Sequence, residues 1–113
     1  MAKIIVEASE TVSILRIDSA DMQTARLVAM MQAGYDAVGT YADGGLAVLL
    51  PDCPHGDAVA RRLRIAMNYH KVPCHIASAS KPRDGQGLDD LLAVSEAELV
   101  LSRESSRRSA SSL

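Results

Sequence analysis

Tryptophan and phenylalanine are absent from the 113 residues, and three tyrosines are the only aromatics. Proteins that hold single-stranded nucleic acid stack bases on aromatic rings, so that class is disfavoured. A large excess of one charge is also lacking. Twelve Lys and Arg stand against fourteen Asp and Glu, a formal charge of -2, and non-specific DNA binding needs a strongly basic surface. There are two cysteines, Cys53 and Cys74. They are too few for a disulfide framework and point to a cytoplasmic protein with free thiols. No apolar run approaches the roughly 20 residues of a membrane span. The N-terminal MAKIIVEASETV lacks the long apolar stretch and small-residue cleavage site of a secretion signal.

What is present is a globular composition, 48% hydrophobic and 23% charged. A chain of this length buries roughly two-thirds of its unfolded surface, enough for one core. One domain is expected over residues 1–104. The last residues, SSRRSASSL, offer little to bury and are expected as a mobile, disordered tail over 105–113.

Hydrophobic spacing divides the domain. Residues 3–8 and 11–17 read as strands, with a tight turn at Ser9 and Glu10. Asp21 is a natural N-cap, and Met22, Ala25, Val28 and Ala29 follow at helical spacing up to Gly34, a helix-ending residue. Residues 36–42 and 46–50 read as a hairpin around Asp43-Gly44-Gly45, because such turns need positive φ. A second helix starts at Asp57, a strand is expected at 72–80, and a third helix over about 88–104. This order predicts an α/β (α+β) fold with a ferredoxin-like, palm-type sheet. It has a β-α-β-β-α-β core with helices on one face, an extra N-terminal strand and a C-terminal helix.

Residues 41–103 resemble GGDEF domains, the diguanylate cyclase family. YADGGLAVLLPD aligns without a gap on the family pattern Y-G-G-D-E-F-A-V-L-L-P-D. DAVARRLRIAM, CHIASAS and LLAVSEAELVLSRESSR are similar, in order and spacing, to the helix, strand and last helix that follow in that family. The resemblance implies a Mg²⁺ site between an Asp at the end of the first core strand, here Asp18, and the first acid of the hairpin. In this chain the two hairpin acids are Gly44 and Gly45, and two-metal phosphoryl transfer needs hard oxygen ligands on both sides of the ions. Asp43 stands one residue early, where a strand side chain points the other way.

Other recognition groups are reduced as well. The chain has room for one helix between Asp18 and Tyr41, where the family has an additional one that holds guanine and phosphates. The family's cyclic di-GMP motif R-x-x-D reads Ala33-Gly34-Tyr35-Asp36, without the arginine fork that grips guanine or phosphate. The late basic residues that touch the triphosphate in the family align with Arg103 and Arg107, which also suit a helix C-terminus.

Arg61, Arg62 and Arg64 crowd one helix. They serve either as a solvated face or as an interaction surface for an acidic partner. Met30 and Met31 are adjacent and cannot share one helix face, so one is expected exposed on a contact patch. Cys53, His55, His70, Cys74 and His75 do not have the paired spacing of a zinc site.

These observations predict a catalytically inactive, degenerate GGDEF-like domain without a resident cofactor. It acts as a regulatory or protein-interaction module in bacterial cyclic di-GMP signalling, self-associating as a homodimer or held by a protein partner. The alternative is a nucleotide or cyclic-dinucleotide binder with residual Mg²⁺-dependent phosphoryl transfer. It would use Asp18, Asp43, Gly44, Gly45, Arg103 and Arg107.

Overall fold

In the computed structural model the chain runs through α1 (Ala2–Ala8), β1 (Val12–Ser19), α2 (Met22–Ala33), β2 (Val38–Thr40), β3 (Leu46–Pro51), α3 (Gly56–Tyr69), β4 (Cys74–Lys81) and α4 (Leu88–Ser111). The structure describes residues 2–34, 37–40 and 45–111, the side chains of residue 2 and of residues 106–111 excepted. The strands form one antiparallel sheet in the order β2-β3-β1-β4. That is the order of a ferredoxin-like palm, as predicted.

β1 lies between β3 and β4, with Ile17 opposite both Leu46 and Ile76. Both of its faces are covered, and so its sequence does not alternate cleanly. Leu15 and Ile17 pack with Val48, Ala25, Val28, Leu63 and Met67 beneath α2 and α3. Val12 and Ile14 pack on the opposite face with Val6, Ala79 and Leu91, beneath α1 and α4. Helices therefore cover both faces, whereas one covered face was expected.

The extra N-terminal strand is a helix instead. Its β-branched residues suit a strand, but β1 has no edge left to pair with it, since β3 and β4 occupy both sides. The segment instead buries Val6 against the sheet. Its C-terminal carbonyls are capped: the Lys81 ammonium donates to Val6 O at 2.8 Å, and Ser9 Oγ donates to Ile5 O at 2.7 Å. A cation at that end of a helix meets the negative pole of the backbone dipoles.

Elsewhere the local signals held. Asp21 caps α2 by accepting from Thr24 N at 3.2 Å. Gly34 ends it with φ of +96°, its N–H reaching Met30 O at 2.9 Å. The last helix, expected to end near residue 104, continues to Ser111, because neither Pro nor Gly interrupts the segment expected as a tail. The hairpin turn at Asp43 and Gly44, and Tyr35, Asp36 and Tyr41, lie outside the described residues. Among the described residues no helix is long and apolar enough to cross a membrane.

α3 enters the fold at a point of close contact. A Cβ on Gly56 would stand 2.7 Å from Ser13 Cβ and 3.2 Å from Ser80 Oγ, and the hydroxyls of these two serines share a hydrogen bond of 2.8 Å across β1 and β4. Gly56→Ala is expected to cost about 1–3 kcal/mol in urea unfolding, since overpacking there displaces the two serines. Gly39→Ala, with nothing within 4 Å of the new methyl, is the control and is expected to change stability by less than about 0.5 kcal/mol.

Candidate functional site

The C-terminal end of β1 brings together residues far apart in the chain. Asp18 and Ser19 end the strand, Gly45 precedes β3 beside them, and Met22 opens α2. Leu99 and Arg103 reach the same place from α4. With Arg16 and Ile17 they line a cavity of about 660 Å³, a size that suits a small ligand.

One ion pair dominates it. Arg103 Nε donates to Asp18 Oδ2 at 2.9 Å, with the side chains 36% and 39% exposed. Asp18 and His75 stand opposite each other on β1 and β4. The residue before Arg103 holds that neighbour: Ser102 Oγ lies 3.0 Å from His75 Nδ1. Further up the same helix, Glu96 Oε2 meets the buried Arg16 Nη1 at 3.1 Å, and Glu98 Oε2 accepts from Ser78 N at 3.3 Å. α4 is thus fastened along the sheet by successive polar contacts that end at Asp18.

Of the residues singled out in the sequence, Asp18, Gly45 and Arg103 share this cavity. Asp43 and Gly44 lie outside the described residues. Arg107 is placed one turn beyond Arg103 on α4, and its side chain lies outside the described part. Arg61, Arg62 and Arg64 are on α3, but they do not act as one patch. Arg64 Nη2 donates to Ile76 O at 2.7 Å on the outer edge of β4, which, with Glu98 on Ser78 N, blunts that strand edge. Arg62 instead lines a second hollow, of about 490 Å³, with Gln32, Ile65, Ala66, Tyr69 and His70. Met31 is exposed, and Met30 packs against the core.

The contacts of Arg16, Glu96, His75 and Ser102 were missed in the sequence. A lone arginine inside the apolar run VSILRI was the available signal, because a buried charge requires a partner.

Among the described residues the donor set for the implied Mg²⁺ is incomplete. Asp18 is engaged by a guanidinium, and Gly45 brings no side-chain oxygen. Among the described residues no three His, Cys, Asp or Glu side chains converge as metal ligands would. His70 packs edge-on against Tyr69, and His75 is held by Ser102. Burial pushes the Cys74 thiol up, and the nearby Arg64 only partly opposes it, so a nucleophilic thiolate is disfavoured there.

Solved structures share this fold. The GGDEF domain of YfiN (TpbB) from Pseudomonas aeruginosa superposes with a TM-score of 0.67 at 18% identity, over 92% of this chain and 85% of that one. The fold is that of GGDEF domains. An EAL/GGDEF domain protein from M. capsulatus gives a TM-score of 0.63 at 17% identity, over 89% and 86% of the two chains. A sensory box/GGDEF family protein from Caulobacter crescentus gives 0.61 at 13%, over 92% and 90%. No family model matches the sequence, and no curated protein matches it in sequence either. The likeness is therefore one of GGDEF fold.

An ion pair as exposed as Asp18–Arg103 contributes ~0.2–1 kcal/mol and is screened by salt. Asp18→Asn is expected to lower stability by no more than about 1 kcal/mol in low salt. The difference from the parent protein should shrink in high salt, measured by urea unfolding in both buffers.

Proposed function

We propose that this GGDEF-fold domain does no cyclase chemistry and works as a binding or regulatory module. The observation that carries this reading is the Arg103–Asp18 ion pair. A carboxylate at that strand end serves a divalent ion only if it is open to it. Here a cation of the same chain is already hydrogen-bonded to it, and a metal would have to displace that guanidinium as well as shed water. The glycines at 44 and 45 add no carboxylate on the opposite side. Phosphoryl transfer depends on metal ions that neutralise charge on the transferring group, and these residues do not supply their ligands.

What remains is a stable scaffold with exposed, chemically distinct faces, which is what a contact module needs. A protein partner or a second copy of the chain is the proposed occupant. Cys53 and Cys74, both free, fit a reducing cytoplasm, and bacterial cyclic di-GMP signalling is the proposed setting.

The cavity favours a second reading. Its volume of about 660 Å³ is that of a small-molecule site, and Arg103 at its wall suits a phosphate. Arg107, with Asp43 and the hairpin glycines, would assist in that case.

Calorimetric titration of GTP, ATP and cyclic di-GMP, each with Mg²⁺, separates the two. The module reading expects no binding heat from any of them. Micromolar binding that disappears in Asp18→Ala would overturn it in favour of a nucleotide-handling protein. Binding that persists in Asp18→Ala but is lost in Arg103→Ala would also overturn it, in favour of a metal-independent nucleotide sensor.

A further inference from the structure

The large apolar side chains left in solvent fall on two opposite sides of the sheet. Leu27 and Met31 lie one turn apart on α2, and Ile65 and Tyr69 one turn apart on α3; all four are between 56 and 82% exposed. The two helices cover the same face of the sheet, with the hollow that holds Arg62 at their junction. Arg61 lies beside it, exposed. This face is apolar and basic.

The opposite side has the complementary character. On α4, Asp90, Ala93, Ala97, Leu101 and Glu104 follow at intervals of three and four residues, so they form one continuous ridge. The first four are exposed and Glu104 is partly so. Leu101 is 63% exposed, and Val100 flanks it. The ridge is small and apolar in the middle and acidic at its Asp90 end, and past Glu104 the helix continues to Arg107 and Arg108. It points away from the contacts that fasten α4 to the sheet, so using it leaves Arg103–Asp18 intact.

We propose that the α4 ridge of one copy seats against the α2/α3 face of a second copy. Leu101 and the two alanines meet Leu27, Met31, Ile65 and Tyr69, and the acid at one end of the ridge, Asp90, approaches Arg61 and Arg62. The occupant is a second copy because the chain itself carries both halves of the match, in shape as a ridge and a hollow and in charge as Asp90 and the arginines. The two surfaces differ and lie on opposite sides of the sheet, so the contact is heterologous, and each added copy presents a fresh face. The assembly is a head-to-tail series. This rests on the module reading above and names its partner.

The test is sedimentation velocity of the full chain over a concentration series. The weight-average mass is expected to rise past that of a dimer and to fall again in high salt. Two variants of exposed residues divide the interface: Arg61→Glu with Arg62→Glu, and Ala97→Glu with Leu101→Glu. With circular dichroism confirming the fold, each alone should associate about tenfold more weakly or not at all. Mixed, they should form a one-to-one dimer, because each keeps one intact face.

A parent protein that stays monomeric throughout would overturn the proposal. So would a closed dimer that only the Arg61/Arg62 variant abolishes and that mixing does not restore, which is symmetric pairing. Nucleotide calorimetry keeps the two failures apart. A monomer with no nucleotide heat sinks the self-assembly and leaves the module reading with an outside partner, whereas nucleotide binding sinks the module reading itself.

Discussion

A guanidinium buried in the middle of the central strand constrains everything around it. Arg16 sits on β1 with its side chain out of water, and a buried charge is costly without a counter-charge. Glu96 of α4 supplies one. That contact fixes where α4 lies on the sheet. Two residues further along β1, on the same face of the strand, is Asp18; two turns further along α4 is Arg103. The advances along strand and helix bring the second pair together with charges reversed. The tie at the buried end thereby sets the tie at the exposed end, and the exposed end is the carboxylate on which metal chemistry in this fold would depend. The engagement of that carboxylate by Arg103 follows from the way the last helix is seated.

The fold was largely legible in the sequence, for physical reasons that differ by element. α2 announced both ends, with Asp21 to take up a free N–H and Gly34 to adopt a positive φ. α3 set Val59, Leu63, Ala66 and Met67 at helical spacing against its arginines, and of these Leu63 and Met67 are buried while Val59 and Ala66 are partly so. α1 was misread because β-branched residues favour a strand only if an edge is available, and availability is a property of the whole sheet. The length of α4 was underestimated because low apolar content says nothing about a helix already started and not interrupted.

The site was legible only in pieces. Asp18 and Arg103 were each singled out, but as neighbours of a ligand. That they bind each other depends on an 85-residue separation, which no local pattern encodes. The lone arginine in VSILRI was the one sign that the last helix must carry a counter-charge. Met31 and Met30 show the opposite case, in which adjacency on a helix was enough to place one outside and one against the core.

Similarity of fold at 13–18% identity leaves function to the side chains, and here they leave the strand-end carboxylate occupied from within. Manganese titration followed by amide NMR tests this most directly, because a paramagnetic ion broadens the signals of the residues it approaches. The expected result is uniform, weak broadening, with the amides of Asp18, Ser19 and Gly45 no more affected than those of other exposed residues. Selective loss of those three signals at low metal concentration would contradict it and show that Arg103 gives way to a metal at Asp18.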